Sequence, residues 1–262
     1  MNCNPFLKED SSKYIFKSND YIQVLSRLNY IKDIKGIALF YGEIGFGKTY
    51  AVRAFINSLN KDLYKIIYIN ATSEMTSFDF LKILTDNFFL NIGSCYRSDI
   101  YINIQEEIIR IVNKDKMKII IVIDEAHLLS KDVFSILKVL YDFEMDSKDY
   151  VSLILVGYKD IKVELSKRIY ESLNQRIIVK YEFKGFDRDE VKEYIASRLE
   201  LANASKDIFL PDACNALYSC SRSSPRKLNT LVINALMLAF QMNKTIIDSE
   251  IVMLAKGEMD LK

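Results

Sequence analysis

The sequence predicts an α/β fold: a five-stranded parallel sheet flanked by helices, followed by a small all-helical region. Three observations carry that prediction. Short apolar runs alternate with helix-period segments from about residue 37 to 183. The run "IIIVI" at 119–123 has no polar alternation, which marks a strand buried on both faces of a parallel sheet. Beyond Phe183 only helical periods remain.

Taken in order, "IALFY" (37–41) is a short apolar run closed by Gly42 and reads as a buried strand. Val52, Phe55, Ile56 and Leu59 then recur at helical spacing. "KIIYIN" (65–70) is the second strand. Thr76 or Ser77 is placed to cap a helix that carries Phe78, Leu81, Thr85 and Phe88 on one side. "MKIIIVIDEAHLLS" holds the third strand, and Ser130 can cap a helix with Phe134, Leu137 and Tyr141 inward. "YVSLILVG" (150–157) and "RIIVKYEF" (176–183) are the fourth and fifth strands, separated by a charged helical stretch. Strand–helix alternation predicts right-handed crossovers, with helices on both faces of the sheet. "KGFDRDEVKEYIASRL" opens the helical region, with Asp187 and Glu190 spaced as a capping box, and breaks fall near "LPDA" and "SSPRK". The expected division is therefore 1–183 and 184–262.

Composition narrows the function classes. Lys and Arg total 36 against 35 Asp and Glu, so overall charge does not point to nucleic acid and any basic surface must be local. The four cysteines (Cys3, Cys95, Cys214 and Cys220) form no CxxC pair, and His127 is the only histidine, so a Cys/His zinc site has little support. The polar N-terminus lacks an apolar signal core, and the apolar runs are too short to cross a bilayer. A cytoplasmic protein with free thiols and no membrane partner is expected.

"GEIGFGKT" (42–49) matches G-x-x-x-x-G-K-[ST] and sits after a strand and before a helix, where that pattern has mechanical meaning. Polyphosphate lies against successive backbone N–H groups, so the loop must curl tightly and carry no bulk at Gly42, Gly45 and Gly47. Glu43, Ile44 and Phe46 are expected to contribute backbone amides only. The following helix adds its unpaired N–H groups. Lys48 is expected to reach the β- and γ-phosphates of ATP, and the Thr49 hydroxyl to ligate Mg2+. In "IIIVIDE", Asp124 and Glu125 fall at the carboxyl end of a strand of the same sheet. Asp124 is expected to hold Mg2+ through water, and Glu125 to orient or deprotonate the attacking water. His127, nearby, reads as structural rather than catalytic.

The phosphate loop, "IIIVIDEAHLL", "LILVG", "LNQRI" and "SPRKLN", in that order, resemble the AAA+ ATPases, and within them the ExeA-like branch first named for a secretion ATPase. The likeness runs from "NPF" at 4–6 almost to the C-terminus. It implies a five-stranded P-loop sheet domain with nucleotide between it and a helical lid. It also implies that Arg226 senses the γ-phosphate from the same subunit and that Arg176 reaches into a neighbour's site. Two departures stand out. Tyr158 follows "LILVG" where the family places an amide or hydroxyl residue against the γ-phosphate, which implies slow hydrolysis. The family's GxPR reads Ser223-Ser224-Pro225-Arg226, which loses a glycine.

The whole-chain pattern, including "SRLNYIKDIKGIALFYGE", "FEMDSKDY" and "IIDSEIVM", is most similar to accessory ATPases of mobile elements, the MuB, TniB and IstB types. That resemblance implies an ATP-dependent homo-oligomer on double-stranded DNA with a partner transposase. Local basic stretches fit it: 159–180 carries six Lys/Arg against three acids, and Arg222, Arg226 and Lys227 cluster later. The alternatives are a secretion-assembly ATPase and a nucleotide-binding scaffold with negligible turnover.

Overall fold

The computed structural model describes residues 5–6, 15–90, 97–141, 143 and 149–260. Cys3, Asn4, Cys95 and most of "FEMDSKDY" lie outside the described residues. The contacts divide the chain into two compact units. One comprises Gln23–Gly42 with Lys48–Phe183; the other comprises Met1–Ile22, Glu43–Gly47 and Lys184–Lys262.

The first unit is the sheet. Helix α1 (Asn19–Ile34) runs into it and leads to β1 (Gly36–Gly42), all seven residues of which are buried. Then follow α2 (Lys48–Ser58), β2 (Tyr64–Asn70), α3 (Ser77–Phe88), α4 (Arg97–Asn113), β3 (Lys118–Asp124) and α5 (Lys131–Leu140). The chain continues through β4 (Val151–Gly157), α6 (Asp160–Leu165), α7 (Glu171–Gln175) and β5 (Ile177–Phe183). The five strands are parallel in the order β2-β3-β4-β1-β5. The unbroken run at 119–123 is buried throughout, because β3 has a strand on each side and helices over the sheet.

This order creates a switch point at β1. The chain leaves β1 toward β2 on one side and returns from β4 across β1 to β5 on the other, and crevices at such points lie outside the carboxyl ends of the strands. Leu155 of β4 is level with Ile123 of β3 and with Leu39 of β1. Asp124 and Gly42 thus end their strands within two residues of one another along the sheet, about 10 Å apart across β4.

The helix starts follow the sequence. Thr76 caps α3 by accepting from the Asp79 amide, and Asp79 returns a bond to the Thr76 amide. Ser130 caps α5, and Phe134, Leu137 and Tyr141 are buried as expected. Two helices bury less of their apolar spacing than the period suggests. Phe78 is 53% exposed, because the buried stripe of α3 runs through Ser77, Phe80, Leu81, Leu84, Thr85 and Phe88 and leaves Phe78 at its edge. On α2, Ala51, Val52 and Phe55 are buried, whereas Ile56 and Leu59 are only half-buried as the helix nears its end.

The second unit builds its own core from α8 (Arg188–Leu201), α9 (Pro211–Ser221), α10 (Pro225–Gln241) and α11 (Ser249–Asp260). Asp187 caps α8 by accepting from the Asp189 and Glu190 amides, and Glu190 completes the box through the Asp187 amide. Phe6 and Phe16 meet Tyr194 edge-on, so these two rings pack into this helical core. No helix among the described residues is long and apolar enough to cross a membrane.

Candidate functional site: the carboxyl edge of the sheet

Lys48 and Thr49 are the first two residues of α2, so the free amides of that helix end face the loop leaving β1. The Lys48 side chain is buried at the mouth of β1, and its Nζ donates to the Gly42 carbonyl at 2.9 Å. A buried ammonium held on a backbone carbonyl has its direction fixed at the carboxyl end of β1. Gly42 admits no side chain, since a Cβ would lie 2.9 Å from the Phe183 Cβ and 3.0 Å from its carbonyl oxygen on β5.

The loop itself, 43–47, packs with the helical unit. Gly45 has φ +83°, and its carbonyl accepts from the Arg226 amide at 3.3 Å and the Ser224 hydroxyl at 3.4 Å. A Cβ on Gly45 would fall 2.7 Å from that hydroxyl. Gly47 has φ +88° with open space around it, so backbone conformation alone demands glycine there. Glu43 and Phe46 are half-buried, and Ile44 is 67% exposed. Arg226 is exposed in the first turn of α10, directly after the Ser224 cap. The glycine missing from GxPR does not abolish the turn: Ser223 takes the left-handed conformation instead, at φ +63°, with Arg222 at +50°.

Across the sheet edge, Asp124 is 3% exposed and both its carboxylate oxygens are engaged. Oδ1 accepts from the Glu125 amide at 2.9 Å, and Oδ2 accepts from the Tyr68 hydroxyl at 2.7 Å. Tyr68 lies on β2 two residues before Asn70, which pairs in register with Asp124. Burial, together with its bond to the Asp124 carboxylate, holds the Tyr68 phenol well above its ordinary pKa, so it stays a donor. Sequence reasoning missed Tyr68. The one signal was a phenol on the same strand face as Asn70, and nothing in the period says which carboxylate lies opposite.

Glu125 leaves β3 in a left-handed conformation, φ +54°, uncommon for a residue with a side chain and typical of functional turns. Its Oε2 lies 3.4 Å from His127 Nδ1, and the same nitrogen accepts from the Tyr158 amide at 3.2 Å. Lys48, Asp124, Glu125 and Tyr158 thus share one edge of one sheet. Arg176 does not. It sits at the end of α7 just before β5, at the amino end of a parallel strand, about 20 Å from that edge.

The donor set suits magnesium. It offers a buried carboxylate and a hydroxyl, both hard oxygens, and among the described residues no three His, Cys, Asp or Glu side chains gather into a cage. Magnesium commonly takes one or two carboxylates, waters and phosphate oxygens rather than an all-protein shell.

Known proteins extend this description. Residues 31–165 match the family described as AAA domain. General secretion pathway protein A of Aeromonas hydrophila is 30% identical over 241 residues, covering 90% of this chain and 43% of that protein, so the chain spans less than half of its relative's length. Cdc6p of Pyrobaculum aerophilum shares the fold with a TM-score of 0.68 at 16% identity, over 93% of this chain and 67% of that one. The ORC1 protein of Aeropyrum pernix, solved in complex with DNA, aligns with a TM-score of 0.63 at 20% identity, over 97% and 68% of the two chains.

Proposed function

The chain belongs to the AAA domain family, and from that premise we propose that it binds and slowly hydrolyses MgATP as an assembly switch. The reading is carried by the buried Lys48, held at the mouth of β1, and the buried Asp124, held at the end of β3, on the same carboxyl edge of a parallel sheet. In this reading residues 1–183 are the nucleotide-binding domain and 184–262 the lid. The amides of Gly42–Gly47 wrap the phosphates, Lys48 pairs with the β- and γ-phosphates, and Thr49 and Asp124 hold Mg2+. The metal supplies neutralisation of phosphate charge. Glu125 accepts the proton of the attacking water as its oxygen bonds to the γ-phosphorus and the bond to the bridging oxygen breaks. Tyr158 and Arg226 face the γ-phosphate of their own chain. Arg176, distant from its own edge, serves a neighbour's site in a homo-oligomer.

The assembly is proposed to form on double-stranded DNA in the cytoplasm and to engage a transposase. Lys159, Lys162, Lys167, Arg168 and Lys180 are exposed, as are Arg222, Arg226 and Lys227. The structural likeness to a DNA-bound ORC1 protein is in keeping with that reading. A second reading, assembly of a secretion apparatus, is favoured by the 30% identity to a general secretion pathway protein over nine-tenths of this chain.

Phosphate release measured with and without duplex DNA separates these readings. DNA-stimulated turnover is expected, with Glu125→Gln binding ATP and accumulating a DNA-bound assembly. Turnover indifferent to DNA moves the assignment to the secretion reading, and tight ATP binding without turnover reduces the protein to a scaffold. Normal turnover in Glu125→Gln removes the proton-accepting role from Glu125.

A further inference from the structure

His127 Nδ1 stands between two groups that need opposite things from it. The Tyr158 amide, 3.2 Å away, can only donate, so it needs a lone pair on Nδ1. The Glu125 carboxylate, with Oε2 at 3.4 Å, can only accept, so it needs a proton on Nδ1. A neutral imidazole carries its proton on Nδ1 or on Nε2, and only one of these contacts is attractive in each tautomer.

The neighbourhood holds the ring in place rather than letting it choose at leisure. Gly157 precedes Tyr158, and a Cβ there would come within 3.3 Å of the His127 backbone nitrogen, so the end of β4 and the turn after β3 are in close apposition. The turn is fixed by the Leu128 amide donating to the Glu125 carbonyl at 2.9 Å and by the left-handed backbone of Glu125. The imidazole also lies 6.1 Å from the Tyr158 ring. Its side chain is only 24% exposed, while that of Glu125 is 45% exposed and has room to turn.

We propose that His127 is a positioning residue that couples the direction of the Glu125 carboxylate to the end of β4. With the proton on Nε2, Nδ1 accepts from Tyr158 and repels Glu125, which turns out toward the nucleotide. With the proton on Nδ1, the ring holds Glu125 and releases the Tyr158 amide. A γ-phosphate met at the end of β4 thereby reaches the proton acceptor of β3 through one ring. The proposal rests on the hydrolytic reading of Glu125, but the coupling itself can be observed without turnover.

The chain contains one histidine, so a spectrum of 15N-labelled imidazole has a single pair of ring nitrogens to follow. The Nδ1 resonance is expected to move when a non-hydrolysable ATP analogue and magnesium are added, and to move in nucleotide-free Glu125→Gln, whose amide can both donate and accept. An Nδ1 resonance indifferent to both changes overturns the coupling. In turnover assays, His127→Ala is expected to lower kcat about tenfold with KM for ATP within about twofold. His127→Gln, whose carbonyl can accept from Tyr158 while its NH2 donates to Glu125, should recover to within about threefold of wild type. Equal losses in both variants, or no loss in His127→Ala, reject the proposal. If the wild type binds ATP without hydrolysing it, the role given to Glu125 fails, and the imidazole spectrum alone still decides whether the ring couples the two strands.

Discussion

At the residue scale the site is a set of polar groups that burial has made dependent on one another. Lys48 and Asp124 are both nearly solvent-free; Lys48 donates to the Gly42 carbonyl, and Asp124 accepts from the Tyr68 hydroxyl and the Glu125 amide. Polar groups this deeply buried answer strongly to a ligand. Lys48→Ala is expected to weaken binding of a fluorescent ATP analogue about 100-fold, as the loss of charge-assisted bonds to phosphate implies. Tyr68→Phe removes a single hydroxyl from a half-exposed ring and leaves the fold intact. Groups that orient a metal-holding carboxylate matter nearly as much as the carboxylate itself. The magnesium concentration for half-maximal nucleotide binding should rise about tenfold in Tyr68→Phe, while binding without magnesium is unchanged. Equal magnesium curves for the two proteins would show that the phenol is incidental.

At the scale of elements, helix caps and strand burial were legible because they depend on neighbours in sequence. The capping boxes at Thr76/Asp79 and Asp187/Glu190 have the three-residue spacing that closes free amides at a helix start. Asp187→Ala leaves the Asp189 and Glu190 amides without their acceptor and is expected to cost about 1 kcal/mol in urea unfolding. The Thr76 hydroxyl and amide hold the Asp79 carboxyl below its ordinary pKa. Its folded value lies under its unfolded one, so its contribution is present above the ordinary carboxylate range and fades as the pH falls through the lowered value. Thr76→Ala should therefore flatten the acid limb of the stability curve. Phe78 shows where periodicity misleads: at a helix start it shares an edge with the inward stripe, and only the packed structure decides that it faces out.

For the whole molecule, near-balanced charge means that any DNA affinity must come from local patches, and such binding releases counterions. Binding of duplex DNA in the presence of an ATP analogue is expected to fall by about three orders of magnitude between 50 and 200 mM salt if six or so phosphates are contacted. Charge reversal at Lys167 and Arg168 should reduce that slope. A shallow salt dependence would argue for the secretion reading. Arg176 stands before the amino end of β5, so the proposed role in hydrolysis depends on a second copy. Particle mass should rise with ATP analogue, and Arg176→Ala should lose turnover without losing nucleotide affinity.

The sequence alone determined the five strands, the glycine-rich loop between the first strand and its helix, the acidic pair closing the third strand, and the helix starts. Each follows from residues a few positions apart, where backbone geometry sets the distance. Tertiary structure decided the strand order β2-β3-β4-β1-β5, and with it that Tyr68 reaches Asp124, that His127 lies between Glu125 and Tyr158, and that Ser223 takes on a glycine's left-handed turn. A parallel strand finds its neighbour only through a long crossover, and the period of a strand records which face is buried but not which strand lies beside it.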